Sequence, residues 1–265
     1  ECSVMSEALL GLPFDIHTGG IDHREIHHPN EIAQNQAFTN CGSLTCAENS
    51  GARFWMHNNF LIDRGGKMSK STGDFLRLQV LVDRGFHPLA YRLLCLQAHY
   101  RSELEFNFDN LGAAATRLKR SVMAVAQVRA QASPAEDVQH PRLTELLEKF
   151  DAALSEDLNT AVGLTLLEEA VAIKKIDAAE KLATIMRMDA VLGLNLMTLD
   201  RADLRVRPAN AQLTAEEIEA ELAKRKDARA NKDFATSDAI RDALLAKGVE
   251  VMDGDPLGWD WKIEG

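Results

Sequence analysis

The sequence predicts a mixed fold, with an α/β region toward the N-terminus and α-helices through most of the remainder. Three observations support this prediction. A strand-like run over 12–17, a helix-like stretch over 23–38 and a second apolar run over 54–62 follow one another in the order of a βαβ unit with parallel strands. From residue 75 onward, apolar residues recur at helical spacing. The final stretch, 248–265, contains glycine, proline and tryptophan and predicts a short hairpin or an ordered loop.

The helical part has recognisable ends. Asp109 is expected to precede the first long helix, Asn159 with Thr160 to open the third, and Gly193 to stop the fourth. We interpret the four together as an antiparallel helical bundle. Residues 200–212 are expected to form a linker, and two shorter helices follow it, one opening near Thr214 and one over 235–247. The four long helices are expected over 110–131, 141–154, 158–176 and 178–192.

Length and charge bound the possible functions. With 265 residues the chain has room for about two domains. Its 30 Lys and Arg against 40 Asp and Glu give a net charge of −10, which excludes attachment to nucleic acid by bulk positive charge alone. No apolar run approaches the ~18–20 residues that a membrane span needs, so we expect no membrane partner. The chain begins with Glu1 rather than Met, and we interpret it as a fragment or a processed chain.

The four cysteines are too few for a disulfide scaffold and favour a reducing, cytoplasmic location. Cys2 belongs to a candidate metal site with His27 and Glu31, because the latter two are four residues apart and share one helical face. A thiolate, an imidazole and a carboxylate suit zinc. The same residues also fit a buried cysteine beside a solvated His–Glu pair. Cys41 and Cys46 are interpreted as loop thiols.

The segment from Lys67 to Ser71 is the sharpest local signal. It contains lysines at 67 and 70, with hydroxyl side chains between and after them and glycines on either side. Such a loop suits a phosphate clamp, since the lysines supply charge where a pyrophosphate leaves and the glycines let the backbone approach. The alternative is a solvated loop of lysine and serine.

Two further groups suggest ligand contacts. Gly19, Gly20 and Asp22 lie at the end of the first predicted strand, where ligands bind in open α/β sheets. A basic cluster lies near the C-terminus, where tryptophans could stack on unpaired bases. The alternative there is a solvated helix face with tryptophans that cover a small core. The candidate nucleic-acid contacts are Lys224, Arg225, Arg229, Lys232 and Trp261.

The pentapeptide Lys67–Ser71 is similar to the second signature of class I aminoacyl-tRNA synthetases. Several other stretches resemble the cysteinyl-tRNA synthetase family in order and spacing, and together they extend over nearly the whole chain. These stretches are 1–6, 14–22, 27–34, 55–58, 98–102 and 231–242.

The resemblance implies a C-terminal portion of such an enzyme, without the family's first signature, His-Ile-Gly-His. Residues 1–63 would form the second half of a Rossmann-type catalytic domain and carry the zinc ligands. Residues 64–108 would form the phosphate-binding signature loop and connecting helices, and 109–200 the helical bundle. Residues 201–265 would form a linker and a small anticodon-binding module. The chain is expected to be monomeric.

The resemblance also implies a reaction. ATP, with Mg²⁺, activates L-cysteine as an adenylate, and tRNA-Cys then accepts the aminoacyl group. Zn²⁺ would bind the substrate thiol as a thiolate, which a serine hydroxyl does not imitate. The family's fourth zinc ligand, a cysteine, lies in the portion that this chain lacks, so the isolated chain is expected to be inactive. Two alternatives remain: a ligase that joins cysteine to an amino-sugar, as in mycothiol synthesis, and a non-catalytic tRNA-binding remnant.

Residue roles follow from the same resemblance. Lys67 and Lys70 would be catalytic, and Lys70 would also contact ATP together with Gly19, Gly20 and Asp22. Trp55 and His57 would lie near the amino-acid pocket.

Overall fold

A computed structural model describes residues 2–41, 46, 49–62, 77–132 and 137–263. The signature loop from 67 to 71 lies outside these ranges. Contacts between residues divide the chain into two units, one of Glu1–Ile62 with Ala98–Glu105 and one of Asp63–Gln97 with Phe106–Gly265. The predicted four-segment organisation is finer than this division and stays a prediction.

The first unit is built on a βαβ element. Its β1 strand (Phe14–Gly20) and β2 strand (Ala52–Asn58) are parallel neighbours, and α2 (His27–Phe38) lies between them in sequence. This confirms the predicted βαβ unit. The helix α1 (Cys2–Leu10) precedes it. The second predicted strand is divided, because β2 ends at Asn58 and a short strand, β3 (Leu61–Ile62), pairs with β4 (Leu104–Glu105) instead.

The interior of the first unit is polar. Phe14 and Ala52 are the buried apolar side chains among its described residues. Helix α2 instead buries four polar side chains. Parallel strands are normally covered by apolar side chains on both faces, so this unit is organised around polar groups rather than around an apolar core. The buried polar residues of α2 are His28, Glu31, Asn35 and Gln36.

Cys41 and Cys46 correct one expectation. They were expected to be loop thiols, but the structure pairs them as a disulfide. The chain turns back where α2 ends, and Asn40 adopts a positive φ of 53° there. The two Cα atoms therefore lie 6.6 Å apart, which is within reach of a disulfide.

The second unit is mainly helical. Four long helices surround one apolar core, which includes Leu118, Phe150, Leu167, Ile185 and Met188. Three of them match the predicted spans to within two residues, the last at both ends, whereas the third, predicted over 158–176, ends at Ala172. Two shorter helices, α3 and α4, precede them in the chain. The six helices are α3 (Leu78–Asp83), α4 (Pro88–Leu96), α5 (Phe108–Gln131), α6 (Pro141–Ser155), α7 (Thr160–Ala172) and α8 (Ala178–Leu192).

Helix ends in this unit follow local chemistry. The side chain of Asn159 accepts a hydrogen bond from the amide of Val162, and Gly193 ends α8 in the left-handed conformation with φ 65°. Both ends were predicted. The prediction that Asp109 precedes the first long helix is wrong. The cap is Asn107, whose side chain accepts a hydrogen bond from the amide of Asn110 at 2.7 Å. Asp109 lies in the first turn, where it favours the positive end of the helix dipole.

The C-terminal part of the second unit has its own small core. Helix α9 (Ala215–Ala230) opens with a capping box between Thr214 and Glu217. Helix α10 (Phe234–Ala246) and an antiparallel hairpin of β5 (Val249–Val251) and β6 (Trp259–Trp261) complete it. The two helices were predicted, and the structure selects the hairpin from the two predicted alternatives of a hairpin and an ordered loop. The buried members of the core are Ile218, Leu244, Val249, Trp259 and Trp261.

No helix within the described ranges is both long enough and apolar enough to cross a bilayer.

Candidate functional site

The predicted nucleotide and amino-acid residues meet on neighbouring strands. In the parallel register His17 lies opposite Trp55, and Gly19 lies opposite His57. Gly20 is the last residue of β1, and a short 3₁₀ turn (Ile21–His23) follows it. These side chains therefore lie toward the carboxyl ends of two parallel strands, the usual position of ligands in α/β sheets.

The three predicted zinc ligands come together in the structure. Candidate ligand atoms of Cys2, His27 and Glu31 all lie within 4.8 Å of one another. His27 is the first residue of α2, and its Nε2 lies 3.4 Å from Oε1 of Glu31 one turn later. Cys2, on α1, and His27 are exposed, whereas Glu31 is 5% exposed.

The environment of Glu31 fits a cation. Its carboxylate is buried, and Oε2, although 3.0 Å from Nε2 of His17, makes no hydrogen bond of acceptable geometry within the described structure. A buried carboxylate is costly unless a positive charge or hydrogen bonds compensate it. A metal ion held by a thiolate, an imidazole and this carboxylate would supply the charge, and the donor set is one that zinc prefers. The residues present therefore fit a zinc ion.

Histidines surround this carboxylate. Nδ1 of His28 lies 2.8 Å from Nε2 of His57, and Nε2 of His17 lies 3.0 Å from Oε2 of Glu31. Ring contacts connect the rest of the group. Five of the eight histidines of the chain belong to it, namely His17, His23, His27, His28 and His57.

Most of this group was not singled out from the sequence. Residues His17, His23 and His28 were not proposed as site residues. The signal that could have found them is the concentration of histidine between positions 17 and 57.

Burial lowers the pKa of two histidines of the group, His28 and His57. Burial first, and then the neighbouring His17 and His57, lower the pKa of His28 to about 4. Burial also lowers the pKa of His57. Both rings are therefore neutral near pH 7, the form in which imidazole accepts a hydrogen bond or binds a metal.

Two glycines at the end of β1 are required by their surroundings. A Cβ atom on Gly19 would lie 2.7 Å from Nε2 of His28, and one on Gly20 would lie 2.5 Å from a carboxylate oxygen of Asp22. The rings of His23 and His28 and the carboxylate of Asp22 therefore occupy the space where side chains at Gly19 and Gly20 would lie. The indole of Trp55 contacts the rings of His17 and His28 at tilted angles of 40° and 57°, with ring centroids 4.6 and 4.9 Å away.

The lysines of the signature loop, Lys67 and Lys70, lie outside the described residues. Their catalytic role and the ATP contact of Lys70 stay predictions.

The C-terminal basic cluster is partly neutralised. Arg225 makes two hydrogen bonds to Asp253, of 2.8 and 3.2 Å, and Arg229 makes a third of 3.0 Å. The bonds from Arg225, above all, hold the pKa of Asp253 at about 2. Lys224 pairs with Glu221 at 2.7 Å. Contacts of these residues, and of Lys232, with tRNA stay predictions.

The tryptophans of the hairpin lie in the small core. Trp259 is 2% exposed and Trp261 is 6% exposed, and their rings meet edge to face. The alternative of a tryptophan-covered core therefore describes both residues. In this conformation Trp261 presents no open ring face on which a base could stack.

Comparison with known proteins supports the resemblance found in the motifs. Residues 1–116 match the family model of the class I (C) tRNA synthetase catalytic domain. The chain is 65% identical over 263 residues to a cysteine–tRNA ligase of Novosphingobium aromaticivorans, covering 99% of the chain and 53% of that protein. A cysteine–tRNA ligase of Zymomonas mobilis is 51% identical, with 100% of the chain and 56% of that protein covered. The chain thus spans about half the length of these relatives.

Among solved structures, the chain is similar to a LeuRS–tRNA–LeuAMS ternary complex from Agrobacterium radiobacter K84. The TM-score is 0.51 at 16% identity, over 83% of this chain and 35% of the other. A similarity at this identity concerns the fold alone, and it agrees with the mixed α/β and helical architecture. The resemblance to cysteine–tRNA ligases is confirmed by the sequence comparisons.

Proposed function

We propose that this chain is the portion of a cysteine–tRNA ligase that carries the thiol-selective zinc site and the tRNA-facing module. The observation that carries the proposal is the meeting of Cys2, His27 and Glu31 beside the strand ends that hold Trp55 and Gly19. A thiolate-containing metal site next to a ligand-binding strand edge suits an enzyme whose substrate side chain is a thiol.

The proposed roles of the side chains follow from their positions. Cys2, His27 and Glu31 would hold Zn²⁺, together with a further ligand from outside this chain. The zinc ion, when bound, would take the thiol of L-cysteine as a thiolate. Trp55 and His57, on the strand next to β1, would line the amino-acid pocket.

The nucleotide would lie along the end of β1. Gly19 and Gly20 would let the nucleotide approach their backbone from the side opposite His28 and Asp22, which occupy the space where the Cβ atoms would lie, and Asp22, at the following turn, would contact a ribose. Lys67 and Lys70 would stabilise the departing pyrophosphate of ATP–Mg²⁺. No acid–base side chain is demanded in this scheme, and positioning and charge stabilisation do most of the work.

The second unit would carry the tRNA contacts. We propose that α5–α8 form an antiparallel bundle and that α9, α10 and the hairpin form an anticodon-binding module for tRNA-Cys. Lys224, Arg229 and Lys232 lie on or just after α9 and would face the phosphate backbone, whereas Arg225 is buried and would support this surface through Asp253. The N-terminal βαβ element would be the second half of a Rossmann-type domain, and the cytoplasm is the expected location.

The amino-sugar ligase alternative is less favoured. The similarity to cysteine–tRNA ligases extends over 99% of the chain and therefore includes the module after residue 201. A ligase that acts on a small amino-sugar has no need of such a module.

A chimera tests the proposal. The part of the Novosphingobium aromaticivorans enzyme that has no counterpart here is joined to this chain, and ATP–pyrophosphate exchange is measured with cysteine, with serine and with no amino acid. We expect exchange with cysteine alone, and transfer to tRNA-Cys. The isolated chain is expected to give neither.

Two controls make the chimera informative. Glu31→Gln in the chimera should abolish zinc retention and cysteine-dependent exchange, whereas Glu145→Gln, on the exposed face of α6, should change neither. A folded chimera that retains zinc but shows no cysteine-dependent exchange would contradict the proposal.

A further inference from the structure

The end of α2 fixes the backbone of Cys41. Asn40 has a positive φ of 53°, and its amide donates to the carbonyl of Ala37 at 3.2 Å. The amide of Cys41 donates to the carbonyl of Gln36 at 3.0 Å. These two bonds form a Schellman motif, in which a left-handed residue ends a helix. The position of Cys41 is therefore set by the helix end and does not require a bond at its sulfur.

The same residue of α2 also holds Cys46. Nε2 of Gln36 donates to the carbonyl of Cys46 at 3.4 Å, and the amide of Asn49 donates to that carbonyl at 3.2 Å. The side chain of Gln36 is enclosed, with 5% exposed. Gln36 thus holds Cys41 by its carbonyl and Cys46 by its side-chain amide. The two Cα atoms lie 6.6 Å apart, within the range that a disulfide needs.

The disulfide closes a small loop. Its cysteines are five positions apart, and the stabilisation that a disulfide gives increases with the length of the loop it closes. Both cysteines are partly exposed, so a small thiol or disulfide can reach them. Exposed disulfides are more readily reduced than structural ones, and they include the labile and regulatory kinds.

The expected compartment favours the same interpretation. In the cytoplasm, the location proposed above, thiols are kept reduced, and the disulfides that form are usually transient, catalytic or redox-sensing. The other two cysteines have different surroundings. Cys2 belongs to the candidate zinc site, and Cys95 lies on α4 in the other unit, where burial raises the pKa of its thiol.

We propose that Cys41 and Cys46 form a reversible redox site, in which Gln36 positions the two cysteines for closure. The co-reactant is a low-molecular-weight disulfide of the glutathione class. The thiolate of one cysteine attacks a sulfur of glutathione disulfide, breaks its sulfur–sulfur bond and releases one glutathione thiolate. The thiolate of the other cysteine then attacks the protein sulfur of this mixed disulfide and releases the second glutathione thiolate.

The exchange is balanced in atoms and electrons. Two protein thiols are oxidised to one disulfide, and one glutathione disulfide is reduced to two glutathione molecules, which take up the two thiol protons. The inference goes beyond the proposed function and takes from it only the expected location. Its test measures thiols without catalytic turnover, so a negative result would leave the proposed function unaffected.

The test uses the 265-residue chain, equilibrated in a series of glutathione buffers from fully reduced to fully oxidised. The samples are quenched with acid, and free thiols are alkylated and located by peptide mass spectrometry. We expect Cys41 and Cys46 to change together from two alkylated thiols to one disulfide, and to return to thiols in the reduced buffer. Cys95 is the internal control and should stay reduced throughout, because the raised pKa of its thiol makes it unreactive.

Three variants separate closure from simple reactivity. Cys46→Ser removes the second thiol of the pair and should accumulate a mixed disulfide of Cys41 with glutathione. Gln36→Met retains a side chain of similar length without the donor to Cys46, so closure should be several-fold slower and the mixed disulfide should persist. Gln34→Met, at an exposed position of the same helix, is the matched control and should close like the parent chain.

Three results would overturn the proposal. A disulfide that survives the fully reduced buffer in chain that is still folded by circular dichroism would be structural. Thiols that stay open to alkylation in the fully oxidised buffer would not form a redox pair. Equal closure rates in folded Gln36→Met and Gln34→Met would show that Gln36 does not position the cysteines.

Discussion

The two units of the molecule bury opposite kinds of side chain. The helical unit buries leucine, isoleucine, valine and phenylalanine around a continuous core. In the βαβ unit the described residues bury Phe14 and Ala52 as their apolar members, and the enclosed side chains of α2 are polar. The same unit exposes large apolar side chains, among them Leu9 (83%) and Phe54 (65%).

The two units therefore depend on different interactions for their ordered structure. Apolar burial contributes ~25 cal/mol per Å², so the helical unit has its own driving force for folding. The βαβ unit exposes much of its apolar surface and encloses histidines and a carboxylate, to which a bound cation or further protein would add stabilising contacts. Its order should therefore depend on what binds to it, whereas that of the helical unit should not.

The largest expected effect is in the helical core. Leu118 is 1% exposed, and Leu118→Ala should lower the free energy of unfolding by ~2–5 kcal/mol, because it removes buried methyl groups and leaves a cavity. The measurement is urea denaturation followed by tryptophan fluorescence and circular dichroism. Phe54→Ala, at an exposed position of the other unit, should change the same quantity by less than ~0.5 kcal/mol. If both variants lost the same free energy of unfolding, the contrast between the two units would be contradicted.

A second substitution tests whether the helical unit also depends on buried polar groups. Asp189 accepts hydrogen bonds from the amides of Leu194 and Leu196, at 2.9 and 2.7 Å. Asp189→Ala leaves these buried donors without an acceptor and should cost ~1–3 kcal/mol in thermal or urea unfolding. Asp151→Ala, on an exposed face of α6, is the control and should be nearly neutral. A neutral Asp189→Ala would show that this end of α8 needs no buried carboxylate.

Alanine substitution of one glycine in each unit sharpens the comparison. Gly19→Ala brings a Cβ atom to 2.7 Å from His28, and the overpacking should cost ~1–3 kcal/mol and displace the imidazole. Amide exchange should rise in β1 and α2 only. Gly112→Ala, in α5, meets nothing within 4 Å and should stabilise its helix by ~0.5–1 kcal/mol. A Gly19→Ala chain with unchanged exchange and zinc affinity would contradict the crowded geometry.

The smallest effect concerns pH. The pKa of Asp253 is about 2 in the folded chain against an ordinary 3.8, chiefly because Arg225 donates hydrogen bonds to it. Since the folded state binds this proton less readily, the stabilisation is complete above pH 3.8 and is lost as the pH falls toward 2. Acid unfolding of the C-terminal helices should show this loss in the wild type. In Asp253→Asn the stability lost between pH 3.8 and about 2 should be smaller than in the wild type. An acid-unfolding profile identical to that of the wild type would show that Asp253 does not contribute.

The sequence predicts the helical unit more completely than the βαβ unit. Helix α8 was predicted at both ends, because Ala178 and Leu192 enclose a strong helical period and Gly193 supplies a left-handed end. These signals are local. The cap at Asn107 was assigned to Asp109 instead, because either residue type suits that position and only the backbone geometry separates them.

In the βαβ unit the missing information is long-range. The three candidate zinc ligands were proposed from their residue types and spacing and from the family resemblance, but the neighbours of Glu31 depend on strand register. His17 meets Trp55 only because β1 and β2 pair in one particular alignment. No local pattern gives that alignment, so His17 and His28 were not proposed as site residues. The disulfide between Cys41 and Cys46 was missed for a different reason, because these residues are five positions apart and their pairing depends on how the chain turns after α2.

The most direct test of the account is amide hydrogen exchange of the whole chain with and without one to two equivalents of Zn²⁺. We predict that zinc slows exchange in α1, β1 and α2, and leaves the helices from α5 to α8 unchanged. The account would be contradicted by zinc protection spread equally over both units, or by no protection of the segment that contains His17, His27 and Glu31.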